Sequence, residues 1–251
     1  MAVTTHAFSL DGSLMTALDN PNSDLFDPNA SPQEDAGPEP VVYLVDDQQA
    51  ELDLLQRWCS QEGLKTETFN QAEDLLKLLH ADSHGCVVAD LRMPRLSGLE
   101  LQAEMSRREL TIPVILVTGH GDAENCRAAF QQGVFDFIEK GFRHEEILHA
   151  INSAIRKHRR DRFRHQVRKE ALDLLRKISP RETEVMLLLA GGSPLKGIAQ
   201  ELSISVQTAS KHRGSIFTKL NIDNEVDLYK MLLAAEVNLD VGPAALIPPA
   251  P

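Results

Sequence analysis

Gly85-Cys86-Val87-Val88-Ala89-Asp90-Leu91-Arg92-Met93-Pro94 is the stretch whose reading decides the fold. Its short apolar run has the character of a buried strand, and it ends on a carboxylate. Asp90 therefore falls at the carboxyl end of that strand, followed by a turn that Pro94 stiffens. In open parallel sheets this edge is where ligands bind.

Outward from Asp90 the same design recurs. Residues 41–45 form a second apolar run, ending in Asp46-Asp47. A helical pattern follows, with Leu52, Leu54, Leu55 and Trp58 on its apolar side, and residues 65–69 read as another strand. Leu75, Leu76, Leu78 and Leu79 mark a second helix, and Leu99, Leu101 and Met105 a third. Residues 112–117 read as a strand ending at Thr118. Residues 123–132 read as a fourth helix closed by Gly133, and residues 135–138 as a fifth strand ending at Lys140. Alternation at this spacing predicts an α/β fold, a doubly wound five-stranded parallel sheet with helices on both faces.

A polar residue after a strand is commonly a helix cap or turn former. Two acidic ends, a hydroxyl and a lysine on one edge are harder to explain as four caps. Clustered carboxylates repel one another without a cation, and Mg²⁺ binds through one or two carboxylates while keeping some waters. Asp46, Asp47 and Asp90 suit that role. With the metal in place Asp90 becomes a candidate nucleophile toward a phosphoryl group, Lys140 offsets charge on the transferring oxygens, and Thr118 hydrogen-bonds them.

This pattern resembles the receiver domain of bacterial two-component response regulators, a flavodoxin-like fold, over residues 41–157. Met93-Pro94 with Gly98, and residues 118–122, resemble the FixJ-like branch. The resemblance implies that Asp90 is the phosphoacceptor and that Asp46, Asp47 and the backbone carbonyl of Arg92 join it as Mg²⁺ ligands. It also implies that Phe137 is a switch aromatic; ordinary core packing is an equal reading of that residue. The family usually has proline after the lysine, with a cis peptide bond. Here the residue is Gly141, and a cis bond before a non-proline residue costs about 2.5–4 kcal/mol. A trans bond, a looser loop and a weaker grip on the phosphoryl group are expected. Gly141→Pro should then speed phosphorylation, unless the present loop has another compensating contact.

Charge divides the chain. The 251 residues carry a net charge of −11, yet residues 143–235 hold 17 Lys and Arg against 11 Asp and Glu. The basic half is the candidate to meet a polyanion. Residues 145–155 continue as a helix into Arg156, Lys157, Arg159, Arg160, Arg162, Arg164, Arg168 and Lys169. Residues 158–178 read as a basic helical linker whose charges form a solvated face. Ser179-Pro180-Arg181-Glu182 is a helix start. Short helices around 185–190 and 198–202 precede a longer one at 206–220, capped by Ser205, and a fourth near 228–233. This is the layout of a helix-turn-helix.

Residues 178–233 resemble the LuxR-type DNA-binding domain, through Ser179 to Val185, residues 196–199, Ile204-Ser205, Thr208, His212, Ile216 and Lys219-Leu220. Departures fall at Pro194-Leu195, where Ser-Asn is usual, at Gly197, and at Ala209-Ser210. A helical wheel places Val206, Ala209, Ile216, Phe217 and Leu220 inward and Gln207, Lys211, Gly214, Ser215 and Thr218 outward, flanked by Thr208 and Lys219. The candidate DNA-binding residues are Gln207, Thr208, Ser210, Lys211, His212, Ser215 and Lys219. Arg213 projects toward the apolar side, with its stem passing the core.

The remaining segments are less informative. Residues 1–40 hold seven Asp and Glu and no Lys or Arg, and read as a disordered acidic tail. Residues 237–251 read as a flexible tail, leaving 179–236 as the four-helix, all-α domain. No apolar run approaches the ~20 residues needed to span a bilayer, and residues 1–17 lack the basic start of a secretory signal. Cys59, Cys86 and Cys126 are widely spaced, which favours a reducing cytoplasm over a disulfide framework or zinc site.

The sequence thus implies a NarL/FixJ-type response regulator in the cytoplasm, not an enzyme and not membrane-bound. Its expected partners are a sensor histidine kinase, double-stranded promoter DNA, a second copy in a phosphorylation-dependent homodimer, and RNA polymerase. Two rivals use the same residues: a phosphorelay or interaction module without DNA binding, and a DNA-binding regulator indifferent to phosphate. A metal hydrolase is disfavoured, because no histidine or further general base accompanies the acids.

Overall fold

The computed structural model describes residue 26 and residues 38–119 and 133–237. The expected helix at 123–132 and the tails at 1–25, 27–37 and 238–251 lie outside the described residues. Phe26 is buried, at 2% exposure, which departs from a wholly solvated acidic leader. The chain divides into two compact units, residues 31–165 and residues 166–251 together with 1–30.

In the first unit five parallel strands lie in the order β2-β1-β3-β4-β5. They are β1 (Val41–Val45), β2 (Lys65–Phe69), β3 (Gly85–Asp90), β4 (Val114–Thr118) and β5 (Asp136–Glu139). The three central strands are buried on both faces, which is why they read as continuous apolar runs rather than alternating ones. The register sets Val45 beside Ala89 and Asp90 beside Val117. The strand order reverses between β1 and β3, so the Asp46 and Asp90 ends flank the topological switch point.

Among the described residues, four helices serve this sheet. Leu52, Leu55 and Cys59 of α1 (Gln49–Gln61) and Ile147, Leu148, Ile151 and Ile155 of α4 (His144–Leu175) cover one face. Leu75 and Leu76 of α2 (Ala72–Leu78) and Leu101 and Met105 of α3 (Gly98–Arg107) cover the other. At α3 a full capping box closes the start: Ser97 accepts from the Glu100 amide and Glu100 reaches back to Ser97. Gly98 permits a close approach there, since a Cβ would stand 2.6 Å from the Asp90 carbonyl oxygen.

α4 is one helix of 32 residues, and the division between the units falls within it. The sequence pattern places the start of the linker at residue 158, whereas residues 158–165 belong to the first unit. His158 is 2% exposed, and its Nδ1 lies 3.0 Å from the Gly85 carbonyl oxygen and 3.3 Å from the Gly85 nitrogen. Burial pushes its pKa down to about 4, so the ring is neutral. One turn on, Arg162 donates to the Ala81 carbonyl at 2.9 Å. A histidine inside an arginine-rich run looks solvated in sequence; it is buried here because α4 still lies along the sheet.

The second unit carries α5 (Pro180–Ala190), α6 (Leu195–Glu201), α7 (Val206–Leu220) and α8 (Glu225–Ala234). Val185, Met186 and Leu189 of α5, Ile198 of α6, Ile216 and Leu220 of α7, and Leu228, Met231 and Leu232 of α8 are its buried core. α5 opens on a capping box with Pro180 in its first turn, and Ser205 caps α7 through the Thr208 amide. Pro194, at the N-cap of α6, makes no side-chain cap. Val206, expected inward, is 48% exposed, because the first residue of α7 projects beyond the core.

Candidate functional site

The carboxyl edge of the sheet gathers the residues expected there. One carboxylate oxygen from each of Asp46, Asp47 and Asp90 lies within 4.8 Å of the others. Asp46 and Asp90 are buried, at 4% and 6% exposure, while Asp47 is exposed. Asp46 accepts from the Gln48 amide at 2.8 Å, which fixes its carboxylate at the start of α1. The Lys140 ammonium, delivered by the end of β5, lies 3.0 Å from Asp46 and 3.3 Å from Asp90. Thr118 is buried at the end of β4, and its carbonyl accepts from the Lys140 amide.

Burial and charge act in opposite directions at this edge. Burial holds the Asp90 carboxyl above the usual carboxylate range; the Lys140 charge pulls it down, and the Asp46 and Asp47 charges push it up. Burial alone would lower the Lys140 pKa, but its hydrogen bond to Asp46 and the charges of Asp46 and Asp90 outweigh that, and it is raised. Lys140 therefore stays cationic while it holds two buried acids together. The donor set is all oxygen, which fits a hard divalent cation.

The Lys140-Gly141 bond is trans, as expected before a residue other than proline. None of the described peptide bonds is cis, and Gly141 sits at φ +100°, a conformation glycine adopts without steric cost. On this path Lys140 spans Asp46 and Asp90. Phe137 is partly buried against the core under α2 and α3. Arg92, on the loop after β3, is exposed.

In the second unit α7 sorts its polar residues into two groups. Gln207, Ser210 and Lys211 are exposed; Thr208 and His212 are partly covered, and Thr208 shares a 2.8 Å hydrogen bond with Ser205. Ser215 and Lys219, placed on or beside the outward face by the helical wheel, turn instead to α5. Ser215 donates to Glu182 at 2.7 Å and Lys219 at 2.6 Å. Glu182 is 4% exposed. Burial would raise its pKa, but the bonds from Lys219, Ser215 and Ser179 overcome this and hold it at about 2. The sequence marked Glu182 only as a capping acid; nothing in the spacing announced its bonds to a helix some 30 residues on. Arg213 lies 4.1 Å from the centre of the Phe217 ring and pairs with Glu225 at 2.7 Å, in keeping with its expected position toward the apolar side.

A parallel sheet with an acidic, lysine-bridged switch point, joined to a four-helix unit with an exposed polar helix, defines a phospho-receiver coupled to a DNA-binding module. Residues 42–152 match the family model described as response regulator receiver domain. Residues 176–232 match that of the bacterial regulatory proteins of the luxR family. Among curated proteins, the transcriptional regulatory protein TdiR of Thauera aromatica is 36% identical over 193 residues, 77% of this chain and 85% of that protein. The transcriptional regulatory protein FixJ of Bradyrhizobium diazoefficiens is 33% identical, covering 77% of this chain and 95% of its own. Among solved structures, the response regulator StyR aligns with a TM-score of 0.70 and 31% identity, over 78% of this chain and 99% of that one. Full-length FixJ from B. japonicum aligns at 0.52 and 32%, over 80% and 98%.

The chain belongs to the NarL/FixJ family of two-component response regulators. It is a phosphorylation-controlled transcriptional regulator, from a family of regulators rather than of enzymes. No helix among the described residues is long and apolar enough to cross a membrane.

Proposed function

We propose that a sensor histidine kinase phosphorylates Asp90 and that phosphorylation promotes pairing of two copies on promoter DNA. The observation that supports this most is the Asp46-Asp47-Asp90 cluster with the Lys140 ammonium against two of its members. Asp46, Asp47, Asp90 and the carbonyl of Arg92 would hold Mg²⁺, as receiver domains generally do. When bound, the ion screens the acids and stabilises negative charge on the transferring oxygens. An Asp90 carboxylate oxygen bonds to phosphorus as the bond from phosphorus to its leaving group breaks, giving an acyl phosphate. Lys140 then exchanges its Asp90 contact for a phosphoryl oxygen, and Thr118 donates its hydroxyl to another. Both movements bear on Phe137, three residues before Lys140 on β5. Beyond this transfer and its hydrolysis we assign no enzymatic activity.

On the DNA side, the reading face is Gln207, Ser210 and Lys211, flanked by Thr208 and His212, with α7 in the major groove. Ser215 and Lys219 serve the packing of α7 on α5 and contribute less. Symmetric dimers are the commonest oligomers and match two half-sites. Val226, Tyr229 and Leu233, spaced along α8 and 64%, 45% and 46% exposed, support pairing of the second unit as well. RNA polymerase is the further partner such a regulator would meet, in the cytoplasm.

Acetyl phosphate with Mg²⁺ should label the wild type and not Asp90→Asn, and chelation should abolish labelling. Labelling that survives the substitution or ignores the chelator would overturn the assignment.

A further inference from the structure

Lys140 directly follows β5, with its amide held by the Thr118 carbonyl, but the loop that leaves it opens on a residue whose own backbone supplies no restraint. Gly141 is exposed at φ +100°, and a side chain there would meet nothing within 4 Å. No proline stiffens the path, and glycine is the least restricted residue. Yet the Lys140 ammonium is held within 3.3 Å of two buried acids.

What braces the loop lies immediately beyond Gly141. Phe142 is partly buried and meets Trp58 of α1 edge-on, with ring centroids 6.1 Å apart and planes at 73°. His144, the first residue of α4, meets the same indole at 5.2 Å and 67°. Both geometries are favourable edge-to-face contacts. The His144 Nε2 is buried without a hydrogen-bond partner among the described residues. Trp58 and Phe142 also pack against the core between the sheet and helices α1 and α4. α1 is itself seated by Leu52, Leu55 and Cys59. The indole is thus a fixed post, and the loop is tied to it two and four residues after Lys140.

The geometry points to an aromatic clamp, Trp58 with Phe142, that positions Lys140 for phosphoryl transfer to Asp90, in place of the backbone restraint that Gly141 cannot supply. The assignment rests on Asp90 being the phosphoacceptor. Trp58 and Phe142 touch neither acid nor phosphoryl group; they act through Lys140 and are positioning residues.

A double-mutant cycle in the full chain tests this, with acetyl phosphate and saturating Mg²⁺ and the labelling rate of Asp90 as readout. Trp58→Leu and Phe142→Leu should each slow labelling on the order of tenfold, as small displacements of a reacting constellation do. Trp58→Phe, which keeps an edge-to-face partner, should restore most of the rate. In a Lys140→Ala background the Trp58→Leu change should alter the rate by less than roughly twofold, because there is no ammonium left to aim. Mg²⁺ affinity by calorimetry should stay unchanged, since the acids sit on other strands. The same slowing with and without Lys140, or no slowing in either single variant, would overturn the clamp. Absence of Asp90 labelling in the wild type would instead remove the phosphoacceptor reading, and the clamp's task with it.

Discussion

Replacing Glu182 by glutamine isolates the charge at the centre of the second unit. The carboxylate accepts from the Ser179 amide and hydroxyl at 2.9 and 2.7 Å, from Lys219 at 2.6 Å and from Ser215 at 2.7 Å. Glutamine keeps the shape: its oxygen can take the Ser179 and Lys219 bonds while its amide donates to the Ser215 hydroxyl. Only the charge is lost. A hydrogen bond to a charged group contributes about 1.5–3 kcal/mol against about 0.5–1.5 for a neutral one. Linkage gives an upper bound of about 3 kcal/mol for a pKa depressed from 4.5 to about 2. Lys219 is 37% exposed, so solvent screens part of the pair, and about 1–2 kcal/mol is expected. Because the folded pKa is depressed, this stability is complete above pH ~5 and is lost as pH falls through the unfolded value toward 2. Calorimetry of the full chain at pH 7 should show the transition of the second unit lowered by about 4–8 °C per kcal/mol. The gap to wild type should close as pH falls from 5 toward 3. A penalty independent of pH, or none at pH 7, would refute the reasoning.

Lys211→Ala should cost about 1–3 kcal/mol at one base pair if Lys211 reads a guanine edge. Unchanged operator affinity in a binding titration would remove Lys211 from the interface. Phosphorylation of wild type, but not of Asp90→Asn, should raise the sedimenting mass from monomer to dimer through the surface around Phe137; an unchanged mass would count against that surface. Pro194→Ser should stabilise α6 by about 0.5–2 kcal/mol, because Pro194 holds N-cap angles of φ −68° and ψ 153° without a side-chain cap; urea unfolding with no gain would show that the proline ring contributes equally. Gly141→Pro should slow Asp90 labelling rather than speed it, since proline's φ near −65° cannot follow a path at +100°. Faster labelling would show that the present loop is dispensable.

The acidic edge was readable because a parallel sheet converts four separate strand ends into one place. Asp46, Asp90, Thr118 and Lys140 are up to 94 residues apart in sequence, yet each follows an apolar run, and topology does the rest. The outward face of α7 was only partly readable. A wheel gives angles about one axis but not which flank a neighbouring helix covers, so Ser215 and Lys219 looked free while α5 was waiting for them. His158 was unreadable for a related reason: its burial depends on how far α4 stays on the sheet, and charge pattern cannot report that. Gly141 showed its effect on the backbone directly, but the compensation came from Trp58, far off in sequence, where an apolar helix position gave no sign of a second duty.

These hidden contacts bear on how a phosphoryl group at Asp90 could be felt elsewhere in the first unit. Lys140, Phe142 and His144 follow one another at the entrance to α4, so a shift of the lysine arrives at the first turn of that helix. Further along, His158 is held at Gly85 and Arg162 at Ala81, both just before or at the start of β3. A helix clamped near its entry by Trp58 and again at residues 158 and 162 has little freedom to swing as a lever. β5 is different: it is an edge strand, Phe137 on it is only partly buried, and its end carries Lys140. On the proposed function, the softer response to phosphorylation therefore lies at β5 rather than in a pull along α4. That favours a switch read by a second copy at the Phe137 surface, and it predicts that cutting the His158 contact by His158→Ala would loosen α4, measured as faster amide exchange there, without changing the rate at which Asp90 is labelled.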